Sequence, residues 1–158
     1  MNNKQLFDLI CETLEYCKMT VSSNVVQLIL GTICQESACG KYLKQIKGPA
    51  CGICQIEPNT AKDIINNYIL KRADLFTAYS RLYNKNLTLE QNLCYNLMFS
   101  IFMCRVFYLR FVEKIPDTLE GQARYWKKYY NTSKGKGTVE QYITNYRRFD
   151  NVWFFKWY

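Results

Sequence analysis

Apolar positions recur along the chain with a helical period, and no two-residue alternation runs long enough to predict a strand. Leu6, Leu9, Ile10, Leu14 and Cys17 form one stripe and predict a first helix over Asn3 to Lys18. A dense apolar run from Val25 to Cys34 follows Ser22 and Ser23, either a suitable N-cap, and predicts a second helix to about Ser37. Gly48-Pro49 marks a loop, and Pro58 suits the first turn of a third helix expected to reach Tyr79. Thr88-Leu89-Glu90-Gln91 has capping-box spacing and opens a long helix, apolar nearly all round, that ends before Pro116. A shorter helix is expected over Leu119 to Tyr130. Gly135-Lys136-Gly137 then breaks the chain, and Thr138-Val139-Glu140-Gln141 repeats the capping-box spacing before a last helix to about Phe149. The pattern predicts an all-α fold, one domain over residues 1–158, with about six helices around the long apolar one.

Composition supports a folded domain: 158 residues, 49% apolar and 22% charged, have enough apolar surface for a core and leave no segment that reads as a disordered tail. The most apolar stretch, Leu93 to Val112, is interrupted by Asn96, Arg105 and Arg110, which favours a buried helix over a membrane span. Met1 to Asp8 lacks the apolar core of a signal peptide, so synthesis in a cytoplasm is expected. The net charge of +8 is uneven: residues 1–60 carry five Lys and five Asp/Glu, whereas residues 61–158 carry sixteen Lys/Arg and eight Asp/Glu. Such a basic face suits either general solubility or a polyanion, whether nucleic acid, an anionic membrane surface or an acidic cell wall. The aromatic run Val152 to Tyr158 is expected to staple the core rather than to stack on sugars or meet a membrane.

There is no histidine, which removes Ser-His-Asp and Cys-His nucleophilic machinery and His-ligated zinc. Proton transfer must fall to a carboxylate, Lys, Tyr or Cys. Glu36 ends the apolar run of the second helix, where desolvation favours its neutral, proton-carrying form. A carboxylic acid of that kind is what protonation of a glycosidic oxygen requires. Glu57, in the following turn segment, is the other carboxylate to consider, either facing the same site or stabilised at the start of the third helix. Asp63 reads as structural. Cys34, Cys39, Cys51 and Cys54 cluster in sequence around these residues and leave three alternatives: reduced apolar thiols, disulfides formed outside the cytoplasm, or a four-thiolate metal site.

The ordered set Glu36-Ser37, then Gly48-Pro49-Ala50 and Gly52-Ile53-Cys54-Gln55-Ile56-Glu57-Pro58-Asn59-Thr60-Ala61, resembles the signature of the lysozyme-like lytic transglycosylase superfamily. Its Gly-Pro-Ala and Glu-Pro elements are similar to a bacteriophage, peptidoglycan-degrading branch. The stretch Tyr125 to Thr138, with Tyr130-Asn131, is similar to the closing motif of those proteins, so the resemblance covers roughly residues 22–146. Cys54 departs from the pattern, standing where such turns carry Met, Trp or Phe. The resemblance implies cleavage of the β-1,4 bond between N-acetylmuramic acid and N-acetylglucosamine in peptidoglycan, with Glu36 as general acid and then base and no cofactor or metal. It implies that Ser37, Gly52, Gln55, Glu57, Tyr130 and Asn131 bind substrate or support the acid. It further implies a phage lysis or wall-penetrating enzyme, delivered by a holin or in the virion. Its partners would be glycan strands, with anionic wall polymers or the inner membrane face meeting the basic portion, and no specific nucleic acid. Two rivals stay open: a hydrolytic muramidase using a second carboxylate, Glu57 or an Asp, and a non-catalytic module binding through its basic charge or a cysteine-held metal.

Overall fold

Residues 3–133 and 135–150 are described by the computed structural model, so the aromatic run Val152 to Tyr158 lies outside the described residues. The fold is all-α, with eight α-helices and no strand among the described residues. They are α1 (Asn3–Tyr16), α2 (Ser23–Ser37), α3 (Pro58–Asn67), α4 (Ala73–Leu82), α5 (Leu89–Tyr95), α6 (Leu97–Leu109), α7 (Leu119–Trp126) and α8 (Val139–Asp150). One continuous apolar core runs from Leu6 of α1 to Phe149 of α8.

Two expected helices are broken. The third ends at Asn67, because Tyr68 leaves helical geometry and sends its hydroxyl to the Leu109 carbonyl at 2.8 Å. A 3₁₀ turn over Ile69–Lys71 buries Ile69, and extended Arg72 precedes α4. The long apolar helix is bent by 102° between α5 and α6. Asn96 makes that bend: its Oδ1 accepts from Phe99 N at 3.0 Å, and its Nδ2 donates to the Leu82 carbonyl at 2.8 Å. A side chain that caps the next helix competes with continuing the previous one. α6 then stops at Leu109, short of Pro116, and no single helix among the described residues is long and apolar enough to cross a membrane.

Both capping boxes form. Thr88 and Gln91 exchange bonds of 2.9 and 3.1 Å, and Thr138 and Gln141 exchange bonds of 3.1 and 3.2 Å. Ser22 precedes α2 but does not cap it, its hydroxyl going to Asn24 at 2.6 Å. α6 is buried over Phe99 to Tyr108 and forms the middle of the fold. α8 lies along α2 at Gly31, where a Cβ would stand 2.0 Å from the Tyr142 hydroxyl. The absent side chain lets Tyr142 reach the Leu28 carbonyl and pack its ring, tilted, 5.3 Å from that of Trp126, which fixes α7 beside the end of α2.

Candidate active site

The end of α2 is tied off by its own last residues. Ala38 takes the left-handed conformation with φ 49° and returns its N–H to Ile33, and Gly40 follows with φ 81°. Ser37 completes the knot, donating to the Ile33 carbonyl at 3.1 Å and accepting from Gly40 N at 2.9 Å. It is fully enclosed and does not line the cleft, so the expected substrate contact is corrected to a structural one. What Ser37 does is hold the turn that aims Glu36.

Glu36 sits partly exposed in a cleft of about 730 Å³ formed by α2, the turn before α3, α6 and the segment after α7. Its Oε1 accepts a 2.9 Å hydrogen bond from the indole Nε1 of Trp126, a fully buried residue. Burial raises the Glu36 carboxyl from 4.5 to about 7, against the smaller lowering effect of the Trp126 bond. The group therefore exchanges a proton near neutral pH, as the desolvation argument anticipated.

The opposite wall is a backbone turn. Cys51 pairs with Ile56 through reciprocal bonds of 3.0 and 2.9 Å, and Gly52 N reaches Leu43 O at 2.9 Å. Gly52 has φ 78°, and a Cβ there would stand 2.0 Å from the Leu93 carbonyl, so only glycine fits. Gly52 does not line the cleft, and its expected substrate contact is corrected to a role in shaping the turn. Gln55 does line it, held at φ 50° with its Nε2 donating to Gly52 O at 2.8 Å and Tyr42 O at 3.2 Å. Its carbonyl oxygen makes no hydrogen bond among the described residues. Glu57 is exposed on the rim, immediately before α3, and forms no side-chain cap. It shares the cleft with Glu36.

The third side comes from the end of α7, which widens into a π turn over Lys127–Asn131. Tyr130 donates its hydroxyl to the Cys54 carbonyl at 2.7 Å and packs 4.7 Å from Phe107, and burial holds its phenol well above the ordinary value. It thus ties the Gln55 turn to the helix that carries Trp126. Asn131 accepts from Lys127 Nζ at 2.7 Å, and the same ammonium reaches Gly135 O at 2.9 Å, seating Gly135 to Gly137 at the cleft edge. Five of the seven expected residues, Glu36, Gln55, Glu57, Tyr130 and Asn131, therefore meet in one cleft.

Trp126 carries no motif of its own in the sequence, though it stands four residues before Tyr130 on the same helical face. That spacing was the available signal. Gln35, held by Asn145 at 2.8 Å, and Phe107 also line the cleft and carried no signal of their own.

The four cysteines near the site do not gather. Cys34 faces Cys39, with sulfurs 3.3 Å apart, and this contact lowers the Cys39 thiol. Burial and then the neighbouring Cys94 raise Cys51 to about 11, while burial and then Cys54 raise Cys104. Among the described residues no three Cys, Asp or Glu are placed to hold a metal ion. Comparison of the chain with protein-family models, curated proteins and solved structures finds no match.

Proposed function

We propose that the cleft cleaves β-1,4 glycosidic bonds of peptidoglycan in the manner of a lytic transglycosylase. The observation that carries this is Glu36: a carboxyl raised to about 7, anchored by a buried indole, at the wall of a cleft large enough for sugar rings. In this reading protonated Glu36 gives its proton to the glycosidic oxygen between N-acetylmuramic acid and N-acetylglucosamine, and the C1–O bond breaks. The resulting carboxylate then takes the proton of the muramic acid C6 hydroxyl as its oxygen bonds to C1, giving a 1,6-anhydro end and restoring the acid. One carboxyl serves both steps. Gln55, with its donors fixed and its carbonyl oxygen available, suits an N-acetyl N–H, and Asn131 lines the side formed by the π turn.

A hydrolytic reading has one specific support, the presence of Glu57 in the same cleft. Hydrolysis needs a second carboxylate as base or nucleophile, whereas anhydro-ring closure does not. Product masses from purified peptidoglycan decide: anhydro ends are lighter by one water than reducing ends. The expected result is anhydro products, a loss of about 10²- to 10⁴-fold in Glu36→Gln, and little change in Glu57→Gln. Reducing ends throughout, with Glu57→Gln inactive, would establish the hydrolase instead.

A further inference from the structure

Arg105 lies in the buried stretch of α6 with only 9% of its surface exposed. It makes no ion pair among the described residues, and its Nε is enclosed without a hydrogen-bond partner. A charge withdrawn from water is normally paired, because its lost hydration is otherwise uncompensated. Burial already weakens the guanidinium's hold on its proton, although arginine stays charged at any physiological pH.

This guanidinium lines a second pocket of about 590 Å³ that shares no residue with the Glu36 cleft. Val25, Leu109, Phe111 and Pro116 give it apolar walls, and Lys114 adds a second cation at the exposed loop. The carboxylates within the pocket leave Arg105 unmatched. Glu113 is taken by Lys128 and by the Tyr129 hydroxyl at 2.7 Å, and Asp117 is exposed without an ion pair among the described residues. The two phenols are also engaged, Tyr125 with Glu113 O at 3.2 Å and Tyr108 with Thr32 at 2.8 Å.

We propose that this pocket is an oxyanion-binding site, in which Arg105 takes a carboxylate or phosphate through its two terminal Nη groups while the apolar walls hold an aliphatic body. Arginine's planar fork suits such two-pronged contacts, and Lys114 assists from the rim as a point charge. The inference is independent of glycan cleavage, since the site lies outside the Glu36 cleft.

Thermal unfolding of the full chain with acetate, N-acetylalanine or inorganic phosphate, at matched ionic strength against chloride, tests it. A ligand that binds only the folded chain raises the midpoint with its concentration. Wild type is expected to respond and Arg105→Met not to. N-acetylalanine should bind about fourfold tighter than acetate, because its alanine methyl, buried against the apolar walls, contributes about that factor. A carboxylate preference points to a peptide carboxyl terminus as the natural source, and a phosphate preference to a phosphate polymer; both support the site. Titration of wild type followed by the Arg105 Nε–Hε NMR signal gives the answer even should the Met variant not fold. No midpoint response, an equal response in Arg105→Met, or an unmoved Arg105 signal at saturating anion overturns the proposal.

Discussion

Burial that raises Glu36 to about 7 also makes this carboxyl a pH-dependent strain on the fold. The folded chain holds the proton more tightly than the unfolded chain, whose glutamate titrates near 4.5. Stability from this group is therefore full below that value and is lost as pH rises through about 7. The full gap corresponds to about 3 kcal/mol at most, and partial exposure reduces it. Glu36→Gln keeps an acceptor for Trp126 yet never ionises. It should match wild type at pH 4.5 and exceed it at pH 8 by about 1–3 kcal/mol, read from urea unfolding at both pH values. Equal stability of the two proteins at pH 8 would mean a solvated carboxylate and no poised acid. Turnover should follow the same group, falling as pH rises through about 7. Trp126→Phe removes the bond that holds the value down, so the falling limb of its pH–rate profile should move to higher pH.

Asn96 does at the scale of elements what Trp126 does at the scale of residues. It lies between two apolar segments, caps α6 through Oδ1 and pins the end of α4 through Nδ2. Asn96→Ala leaves the Leu82 carbonyl and Phe99 N–H without these partners, and should cost about 1–3 kcal/mol in chemical unfolding. Asn96→Asp, which keeps the cap acceptor and loses only the donor, should cost less; equal losses would show that the bend does not rest on the cap. This residue also shows what the sequence could reveal. Capping boxes at Thr88 and Thr138 are local exchanges between residues three apart, and both were readable. The bend at Asn96 and the break at Tyr68 are set by carbonyls of Leu82 and Leu109, distant in sequence, and no periodicity announces them. The site followed the same rule. Glu36, Gln55 and Tyr130 sit in local motifs, whereas the Trp126–Glu36 bond spans 90 positions and needed the packing of Tyr142 against Gly31 to appear.

For the molecule as a whole, the net charge of +8 becomes informative once it is placed on the fold. Several cations are already matched: Arg110 with Asp63, Lys128 with Glu113 and Arg147 with Glu120. Lys47 and Lys136 are exposed, line the Glu36 cleft and make no ion pair among the described residues. One comes from the electrically neutral N-terminal part and one from the basic remainder, so the fold brings positive charge to the cleft from both. Under the proposed function the substrate is an anionic polymer, and these lysines would raise its local concentration rather than act on the bond. Their effect should be screened as the Debye length falls to about 8 Å at 0.15 M salt. Clearing of a peptidoglycan suspension should therefore slow with added salt, through KM more than kcat. The double variant Lys47→Gln with Lys136→Gln should be slower at low salt and much less salt-sensitive. An unchanged salt slope in that variant would move the electrostatic contact away from the cleft, to the basic surface elsewhere on residues 61–158.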